Sequence, residues 1–177
     1  RDQRISFLQH PQEVVGVFHM PDEQPWVVDN NELALALDGI QDPGNLGTII
    51  RIADWFGINT IYCSTDTADV YNPKVVQATM GSLAHVSVRY GDLVKLLQTV
   101  SCPIYGTLLV GENIYEKTLT QNGIIVMGNE GNGISEPIRA LITQRLLTPN
   151  FNTDACTAES LNVAITTAIT CSEFKRR

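Results

Sequence analysis

Short apolar runs alternate with helix-like segments from residue 33 onward, and this alternation limits the fold more than any other feature of the chain. Each run has the length of a buried strand, and a helix-like pattern fills each gap. Strands that are separated by helices are typical of a parallel sheet. The predicted strands are Leu33–Leu37, Asn59–Cys63, His85–Val88, Ile104–Leu108, Ile124–Met127 and Leu146–Thr148. The sequence therefore predicts an α/β domain over residues 33–177, with a mostly parallel sheet flanked by helices.

Local signals mark the ends of several helices. Asn72 before Pro73 is typical of an N-cap followed by proline at the first helical position, and Gly81 ends that segment. The segment 135–137, Ser-Glu-Pro, opens a further helix. The last helix is expected over roughly residues 158–174. One side of it carries a stripe that suits close helix packing, including packing between subunits: Leu161, Ile165, Ala168, Ile169 and Ser172.

The composition is that of one compact domain. The 177 residues, 44% of them apolar, are enough for one sizeable core. No apolar run approaches the ~18 residues that span a bilayer, and the first residues lack the basic-then-apolar order of a secretory signal. We therefore expect a cytoplasmic protein without a membrane segment. Residues 1–32 hold scattered prolines without a regular period, and we interpret them as a linker and the first part of the domain.

Spacing and charge exclude several kinds of site. The cysteines (Cys63, Cys102, Cys156 and Cys171) lie far apart without a Cys-x-x-Cys pair, and the histidines are equally isolated. We expect reduced, mostly buried thiols and no metal site. The net charge of −7 argues against a broad basic surface for nucleic acid. Any role with RNA would then depend on a local patch or on a segment outside this chain.

The first unusual loop is LDGIQDPGNLGTIIRIADWFGI, residues 37–58. Asp38 ends a predicted strand, and a helix is expected to begin near Leu46. Backbone N–H groups at a helix start attract anions, and Arg51 adds a positive charge away from the buried stripe. That stripe comprises Ile49, Ile50, Ala53 and Phe56. An anion site and an ordinary turn with a solvated arginine both fit this pattern, whereas a P-loop does not, because no Lys-Ser or Lys-Thr follows the second glycine.

The second loop is VMGNEGNGIS, residues 126–135, again between a strand and a helix. Its glycines follow the order G-x-x-G-x-G instead of G-x-G-x-x-G, and no acidic residue follows the next strand, which disfavours a dinucleotide-binding loop. A small ligand that lies against the backbone fits this loop better. Glu130 is interpreted either as a brace of the loop or as a site residue.

The third segment is TAESLNVAITTAI, residues 157–169. Ser160 and Asn162 are polar residues at the start of an otherwise apolar helix. Serine and asparagine are common N-caps, so both a capping role and a role in a site fit them.

Taken together, the three segments resemble the ordered motifs of the SpoU family of RNA ribose 2′-O-methyltransferases, in the SPOUT or α/β-knot superfamily. An N-x-G-x-x-x-R pattern is met by Asn45, Gly47 and Arg51. A strand that ends in G-x-E-x-x-G is met by residues 128–133, and S-L-N-V at a helix start by residues 160–163. The resemblance covers the chain from about Leu33 to its C-terminus.

The resemblance implies a C-terminal deep trefoil knot that binds S-adenosylmethionine, a homodimer, and an RNA substrate, either tRNA or rRNA. It also implies that an N-terminal RNA-binding domain precedes the linker at residues 1–32. The implied cofactor-binding residues are Thr107, Leu108, Gly128, Leu147, Thr148, Pro149 and Leu161. Thr148 stands where the family usually has isoleucine, and residues 151–156 belong to a longer insert than relatives carry.

The implied catalytic residues are Arg51, Asn45, Glu130, Ser160 and Asn162. A ribose hydroxyl is very weakly acidic, and a guanidinium hardly deprotonates in proteins. We therefore expect Arg51 to stabilise negative charge on the hydroxyl oxygen or a neighbouring phosphate instead of acting as a base. Asn45, Ser160 and Asn162 would orient the arginine and the ribose, and Glu130 would hold Asn45 or Arg51 in place.

Two other classes of protein share parts of this pattern. A catalytically inactive, knotted RNA-binding dimer would keep the fold, although Arg51, Ser160 and Asn162 together weigh against it. A nucleotide-dependent oxidoreductase would use the glycine-rich loop. An RNA ribose methyltransferase is the interpretation that accounts for all three segments.

Overall fold

A six-stranded parallel sheet is the centre of the fold. The computed structural model of the chain describes residues 16–17, 19–20, 26–152 and 158–176. The strands are β1 (Leu33–Asp38), β2 (Thr60–Ser64), β3 (Ser87–Gly91), β4 (Ile104–Asn113), β5 (Gly123–Gly128) and β6 (Gln144–Leu147). Their order in the sheet is β3-β2-β1-β5-β4-β6, and every neighbouring pair is parallel. The predicted mostly parallel α/β fold is confirmed.

Helices connect the strands. They are α1 (Pro43–Trp55), α2 (Pro73–Thr79), α3 (Leu93–Thr99), α4 (Glu136–Arg139) and α5 (Val163–Arg176), with a short 3₁₀ helix at Ser82–Ala84. The predicted caps are confirmed: the Asn72 side chain caps α2 with Pro73 in its first turn, and Ser135 is the N-cap position of α4. Met80 and Gly81, both with positive φ, end α2.

The two faces of β1 show how the helices cover the sheet. Side chains alternate along a strand, so Leu33, Leu35 and Leu37 lie in one apolar cluster while Ala34 and Ala36 lie in another. The leucine side packs with α1 and α5 residues, and the alanine side with α3 and α4 residues. A sheet buried on both faces requires strands that are apolar throughout, as the predicted runs are.

Several predicted boundaries are wrong. Helix α1 begins at Pro43 instead of near Leu46, because the Asp42 side chain caps it and proline is favoured in a first helical turn. Strand β3 begins at Ser87, after His85 has ended the 3₁₀ helix. Strand β4 continues beyond Leu108 to Asn113 through an irregularity in its pairing with β6.

The last helix begins later than predicted, and its predicted stripe is not in the core of the chain. Helix α5 starts at Val163, because Asn162 caps it, so Leu161 lies before the helix. Leu161 and Ile165 are 52% and 54% exposed. The buried face of α5 comprises Val163, Ala164, Thr167, Thr170, Cys171, Glu173 and Phe174. That face packs against α1 and the sheet, whereas Leu161, Ile165 and Ser172 of the stripe are exposed in the single chain and Ala168 and Ile169 are half-buried.

The cysteines that the structure describes agree with the expected buried thiols. Cys63, Cys102 and Cys171 are buried and free, and burial raises the pKa of each thiol, that of Cys171 to about 12. Cys156 lies outside the described residues. Across the described ranges, no helix is long and apolar enough to cross a membrane, and no group of His, Cys, Asp and Glu side chains suits a metal ion.

The trefoil knot and the domain boundary stay predictions. A knot depends on the path of the chain between β6 and α5, and residues 153–157 of that path lie outside the described residues. Most of residues 1–25, which the linker interpretation covers, lie outside them as well. Of the rest, Trp26 packs on Tyr62, with 5.5 Å between ring centroids, and Asn30 accepts hydrogen bonds from the backbone N–H groups of Ser101 and Cys102. Trp26 and Asn30 therefore contact β2 and the segment before β4.

Candidate functional site

The order of the sheet predicts where a ligand would bind. From β1 the chain proceeds to β2 on one side, while β5 pairs with β1 on the other side. In open parallel sheets the crevice beyond the carboxyl ends of two such strands is the common ligand site. Here that crevice lies between the loop after Asp38 and the loop after Gly128. A cavity of about 260 Å³ occupies it, lined by Ile40, Gln41, Asp42, Asn45, Asn129, Glu130 and Gly131.

Three polar side chains from the three motifs meet at this crevice. The Asn45 amide donates a hydrogen bond to a carboxylate oxygen of Glu130. The Asn162 amide donates to the same Glu130 oxygen at 3.0 Å and to the Asn45 side-chain oxygen at 3.0 Å. We call Asn45, Glu130 and Asn162 the triad. It joins the start of α1, the loop after β5 and the start of α5 through side chains alone.

At the start of α1, where an anion site was one of two interpretations of the sequence, the chain places a carboxylate of its own. The Asp42 carboxylate accepts a hydrogen bond of 2.7 Å from the Asn45 backbone N–H. An acidic side chain therefore already satisfies the positive end of the helix, and a second anion there would meet its negative charge. The sequence contained a signal for this arrangement, because Asp followed by Pro is a typical cap and first turn of a helix.

The loop after β5 is rigid for reasons that its sequence shows only in part. The Asn129 side chain donates to the Gly39 carbonyl at 2.7 Å and accepts from the Gly131 and Asn132 N–H groups at 2.9 and 3.1 Å. A Cβ atom on Gly128 would overlap the backbone of Gly133, which lies 2.7 Å away at its carbonyl oxygen. Position 128 therefore requires glycine, because the backbone of the same loop at Gly133 comes close to it. The hydrogen bonds of Asn129 hold the loop, and with it Glu130, at a fixed place.

Asn162 caps α5 and also bonds to the other two members of the triad. Its side-chain oxygen accepts hydrogen bonds from the N–H groups of Ala164 at 2.9 Å and Ile165 at 3.3 Å, which caps α5. Its amide group points the other way, to Glu130 and Asn45. Ser160 is exposed and lies two residues before this cap.

Arg51 lies elsewhere on α1. It is exposed on the side away from the buried stripe, as predicted, and it lines a second depression of about 510 Å³ with Asp54, Trp55, Met80, Ser82 and His85. We call this the Arg51 depression. Among the described residues, no hydrogen bond or ion pair joins Arg51 to the triad, so Glu130 holds Asn45 and Asn162 but not the arginine.

A contact between two side chains crosses the Arg51 depression. His85 Nδ1 lies 3.2 Å from Asp54 Oδ2. Hydrogen bonds from Ser82 and then from His85 lower the pKa of the Asp54 carboxyl group. Asp54 is therefore already paired with two groups of the chain.

The implied cofactor residues gather at the carboxyl edge of β4, β5 and β6. Thr107 donates a hydrogen bond of 3.3 Å to the Val126 carbonyl, and β4 then loses its pairing with β6 between Thr107 and Glu112. Leu108, Leu147, Thr148 and Pro149 are half-buried and Leu161 is exposed, so each leaves part of its surface open to a ligand. Apolar walls and backbone groups suit an adenine ring and a methionine side chain, so the residues present fit S-adenosylmethionine.

Sequence reasoning did not find several residues that shape the site. Asp38 is buried, and its carboxylate accepts a hydrogen bond of 2.6 Å from the Ser135 N–H group. This bond connects β1 to the loop before α4. Asp42 likewise accepts a hydrogen bond from a backbone N–H group at the start of α1, and Asn129 accepts one from a backbone N–H group of the second loop. For Asp38 and Asn129 no local pattern predicts these contacts, because their partners are brought close only by the sheet.

Known structures of the same fold carry the same arrangement of elements. A protein from Porphyromonas gingivalis that is assigned to the TrmH family of RNA methyltransferases is 46% identical, with a TM-score of 0.90, over 99% of this chain and 71% of that chain. The SpoU methyltransferase AviRb from Streptomyces viridochromogenes, solved with the cofactor AdoMet, is 30% identical, with a TM-score of 0.74, over 89% of this chain and 65% of that chain.

Curated relatives point the same way. The 23S rRNA (guanosine(2553)-2′-O)-methyltransferase RlmP of Bacillus subtilis is 34% identical over 93% of this chain and 65% of its own length. The chain thus spans somewhat less than two thirds of that relative. The sequence profile of the SpoU rRNA Methylase family matches residues 32–172, which include all three motifs. This chain therefore belongs to the SpoU rRNA methylase family.

Proposed function

We propose that the protein is an RNA methyltransferase that transfers a methyl group from S-adenosylmethionine to a ribose 2′-hydroxyl of tRNA or rRNA. The observation that carries the proposal is the triad, in which one residue from each family motif meets the other two. The relative from Bacillus subtilis is named for 2′-O-methylation of 23S rRNA, and the AviRb structure holds AdoMet, which supports both the reaction and the cofactor.

The cofactor would bind at the carboxyl edge of β4, β5 and β6. Leu108, Leu147 and Leu161 would supply apolar contacts, Thr148 and Pro149 would complete the wall, and the backbone near Thr107 and Gly128 would supply hydrogen bonds. When it is bound, S-adenosylmethionine supplies an activated methyl group on a positively charged sulfur. The donor half of the reaction then needs position and shape, which residues on strand ends provide.

The acceptor half needs stabilisation of negative charge. The ribose oxygen loses its proton as it gains the methyl group, and Arg51 would stabilise the charge that develops on it or on the neighbouring phosphate. An arginine does not release its proton in proteins, so the hydroxyl proton leaves to a phosphate oxygen or to water. Because Arg51 forms no ion pair with another described side chain, its charge is available to the substrate.

The triad would position the parts of the site. Glu130 accepts hydrogen bonds from both amides, so it fixes Asn45 at the start of α1 and Asn162 at the start of α5. Helix α1 in turn carries Arg51. Ser160 lies next to this arrangement, and we assign to it a hydrogen bond to the ribose.

A homodimer is part of the proposal. The exposed stripe on and before α5, with Leu161 and Ile165 at its start, is an apolar helix face that a second copy would cover. Such a dimer would bring Leu161, an implied cofactor residue, close to the interface, and Arg51 would serve the cofactor site of its own chain or of the partner. Sedimentation of the purified protein would show the dimer, and Ile165→Glu should shift it to the monomer.

Binding to RNA would need more positive charge than this acidic chain supplies. With a net charge of −7, the chain offers only local positive charge to phosphates. We infer that an RNA-binding domain precedes residues 1–32, which would act as a linker and as the first part of the present domain. As an enzyme of tRNA or rRNA the protein would work in the cytoplasm.

The experiment that tests the function is transfer of tritium from S-[methyl-³H]adenosylmethionine to total RNA. Digestion of the labelled RNA to nucleosides should release 2′-O-methylated products. Transfer that depends on Arg51 supports the proposal, whereas RNA binding without any transfer would establish the catalytically inactive alternative. Calorimetry with NAD in place of S-adenosylmethionine would detect the oxidoreductase alternative. Mapping of the 2′-O-methyl marks that a deletion strain loses would then identify the nucleotide.

A further inference from the structure

The Arg51 depression exposes two large apolar side chains beside a positive charge. Trp55 is 85% exposed and Met80 is 75% exposed. Arg51, Asp54 and Trp55 are three and four residues apart on α1, so they lie on one face of the helix, and Met80 comes from the turn after α2. A large aromatic side chain such as tryptophan removes roughly 150–250 Å² of surface from water when it is buried. Its exposure here indicates a surface that a ligand covers.

The backbone conformation of Met80 is a second, independent observation that points to a binding site. Met80 has a φ of +52°, in the left-handed region that a non-glycine residue rarely adopts, and Gly81 follows with +96°. The glycine that would take this conformation without strain stands one residue later. The chain therefore keeps a long, flexible apolar side chain at a strained position on the rim of the depression. Strain of this kind is concentrated at binding sites.

The polar groups of the depression leave one positive charge available. His85 and Ser82 are partnered with Asp54. Arg51 forms no ion pair with any side chain in the part of the chain that the structure describes. A depression with an aromatic surface, an apolar surface and one available guanidinium complements a base joined to a sugar phosphate. Bases in a duplex are stacked and covered, so only an unpaired nucleotide can place its face on Trp55.

We propose that Trp55 and Met80 receive an unpaired nucleobase of the RNA substrate, while Arg51 faces the ribose and phosphate of the same or the adjacent nucleotide. The inference rests on the proposed function, because it takes Arg51 as the acceptor-side residue, and it deepens that function by restricting the acceptor to single-stranded RNA. Trp55 and Met80 are substrate-recognition residues that the family motifs do not include.

Substitution of Trp55 tests the contact in the methyltransferase reaction. Trp55→Ala should raise the KM for RNA about 10-fold, since loss of one base–aromatic contact has an effect of that size, and should leave the binding of S-adenosylmethionine unchanged. Trp55→Phe keeps a ring and should restore most of the affinity. Val27→Ala removes another exposed apolar side chain, 73% exposed and outside the depression, and serves as the matched control. A Trp55→Ala enzyme that behaves like Val27→Ala would overturn the assignment.

Fluorescence tests the contact without the reaction. The chain has two tryptophans, so the Trp26→Phe variant reports on Trp55 alone, and phenylalanine keeps the aromatic contact with Tyr62. A single-stranded oligoribonucleotide of repeating CAA should quench the emission, whereas the same strand annealed to its complement should not. Equal quenching by both forms, or no quenching by either, contradicts the proposal. Emission that changes with protein concentration alone would show that a second copy of the chain covers Trp55, and would also contradict it.

The two experiments separate the two proposals. If the wild-type protein methylates RNA and Trp55→Ala does so with the same KM, the nucleobase assignment fails and the proposed function stands. If no RNA is methylated but the single strand alone quenches Trp55, the RNA contact stands and the methyltransferase function fails.

Discussion

The two ends of α1 differ in how far the chain satisfies its own polar groups. At the N-terminal end, the Asn45 backbone bonds to Asp42 and its side chain to Glu130 and Asn162. At the C-terminal end, two turns further on, Arg51 has no ion-pair partner among the described side chains and Trp55 is 85% exposed. One helix thus carries a side chain bonded into the triad at one end, and a charged side chain without an ion-pair partner beside an exposed apolar one at the other.

The difference indicates a division of roles. Side chains that bond to one another, as those of the triad do, can fix geometry. A positive charge without a partner has its full capacity left, and it is the group that can stabilise charge on a substrate oxygen. We therefore expect changes in the triad to act on position and stability, and changes in the Arg51 depression to act on substrate and rate.

Arg51→Ala is expected to have the largest effect on activity. Removal of one group that stabilises charge in a transition state lowers the rate roughly 100-fold to 1,000-fold. Arg51 is exposed, so the melting temperature should stay close to that of the wild type. The first measurement is the initial rate of tritium transfer at saturating S-adenosylmethionine. The second is the melting temperature of both proteins, followed by circular dichroism.

Arg51→Lys is the matched variant for that test. If charge alone is needed, lysine should keep measurable activity, because it places one positive charge on a stem of similar length. Activity near the wild-type level in Arg51→Ala would remove the arginine from the mechanism. A fall in melting temperature as large as the fall in activity would show that Arg51 is structural, contrary to the division of roles.

Gly47→Ala is expected to have the largest effect on stability. A Cβ atom there would overlap the Ala78 side chain and lie 2.8 Å from the Val75 carbonyl oxygen, so α1 would have to move away from α2. Overpacking of this kind costs about 1–3 kcal/mol of unfolding free energy. Gly131→Ala is the control, because its Cβ atom would meet only Asn129 Oδ1 at an ordinary 3.5 Å. Equal stability of the two variants in urea unfolding would contradict the close packing of α1 on α2.

Glu130→Gln is expected to lower activity about 10-fold, which is less than Arg51→Ala. The glutamine oxygen still accepts hydrogen bonds from Asn45 and Asn162, but without charge each bond is weaker by roughly half. Positioning of α1 and α5 is then loosened, not lost. The measurement is kcat for both variants under the same conditions. A greater loss for Glu130→Gln than for Arg51→Ala would reverse the roles of the two ends.

The fold was predictable because its strands are continuous apolar runs. All six runs became strands, since a sheet buried on both faces needs apolar residues throughout. Boundaries failed where the pattern and the hydrogen bonds disagree. Strand β4 continues past Leu108 because it pairs again with β6 at Glu112, and α5 starts at Val163 because Asn162 caps it, although Leu161 continues the apolar pattern.

The site was predictable where a motif names the residue and not where the contact is made by the fold. Asn45, Glu130 and Asn162 stand at motif positions, and they meet although 85 and 32 residues separate them along the chain. Glu130 bonds to both asparagines and not to Arg51 because of the relative placement of α1 and the second loop, which no local pattern predicts. Trp55 is a site candidate only because α1 turns it outward, since the same residue in an apolar segment is as readily a core residue.

The smallest expected effect is that of Asp54→Asn, which alters the contact of Asp54 with His85 in the Arg51 depression. Asp54 and His85 are at the surface, so their pair contributes little to stability. Because hydrogen bonds from Ser82 and His85 lower the pKa of Asp54 in the folded state, its contribution is present above the carboxyl pKa of the unfolded chain, ~3.9, and is lost as the pH falls below that value. The melting temperatures of the wild type and Asp54→Asn should therefore differ slightly at neutral pH and converge as the pH falls below about 4. A large difference that persists in acid would show that the depression is held as firmly as the triad, and the two ends of α1 would then not differ in the way that their contacts indicate.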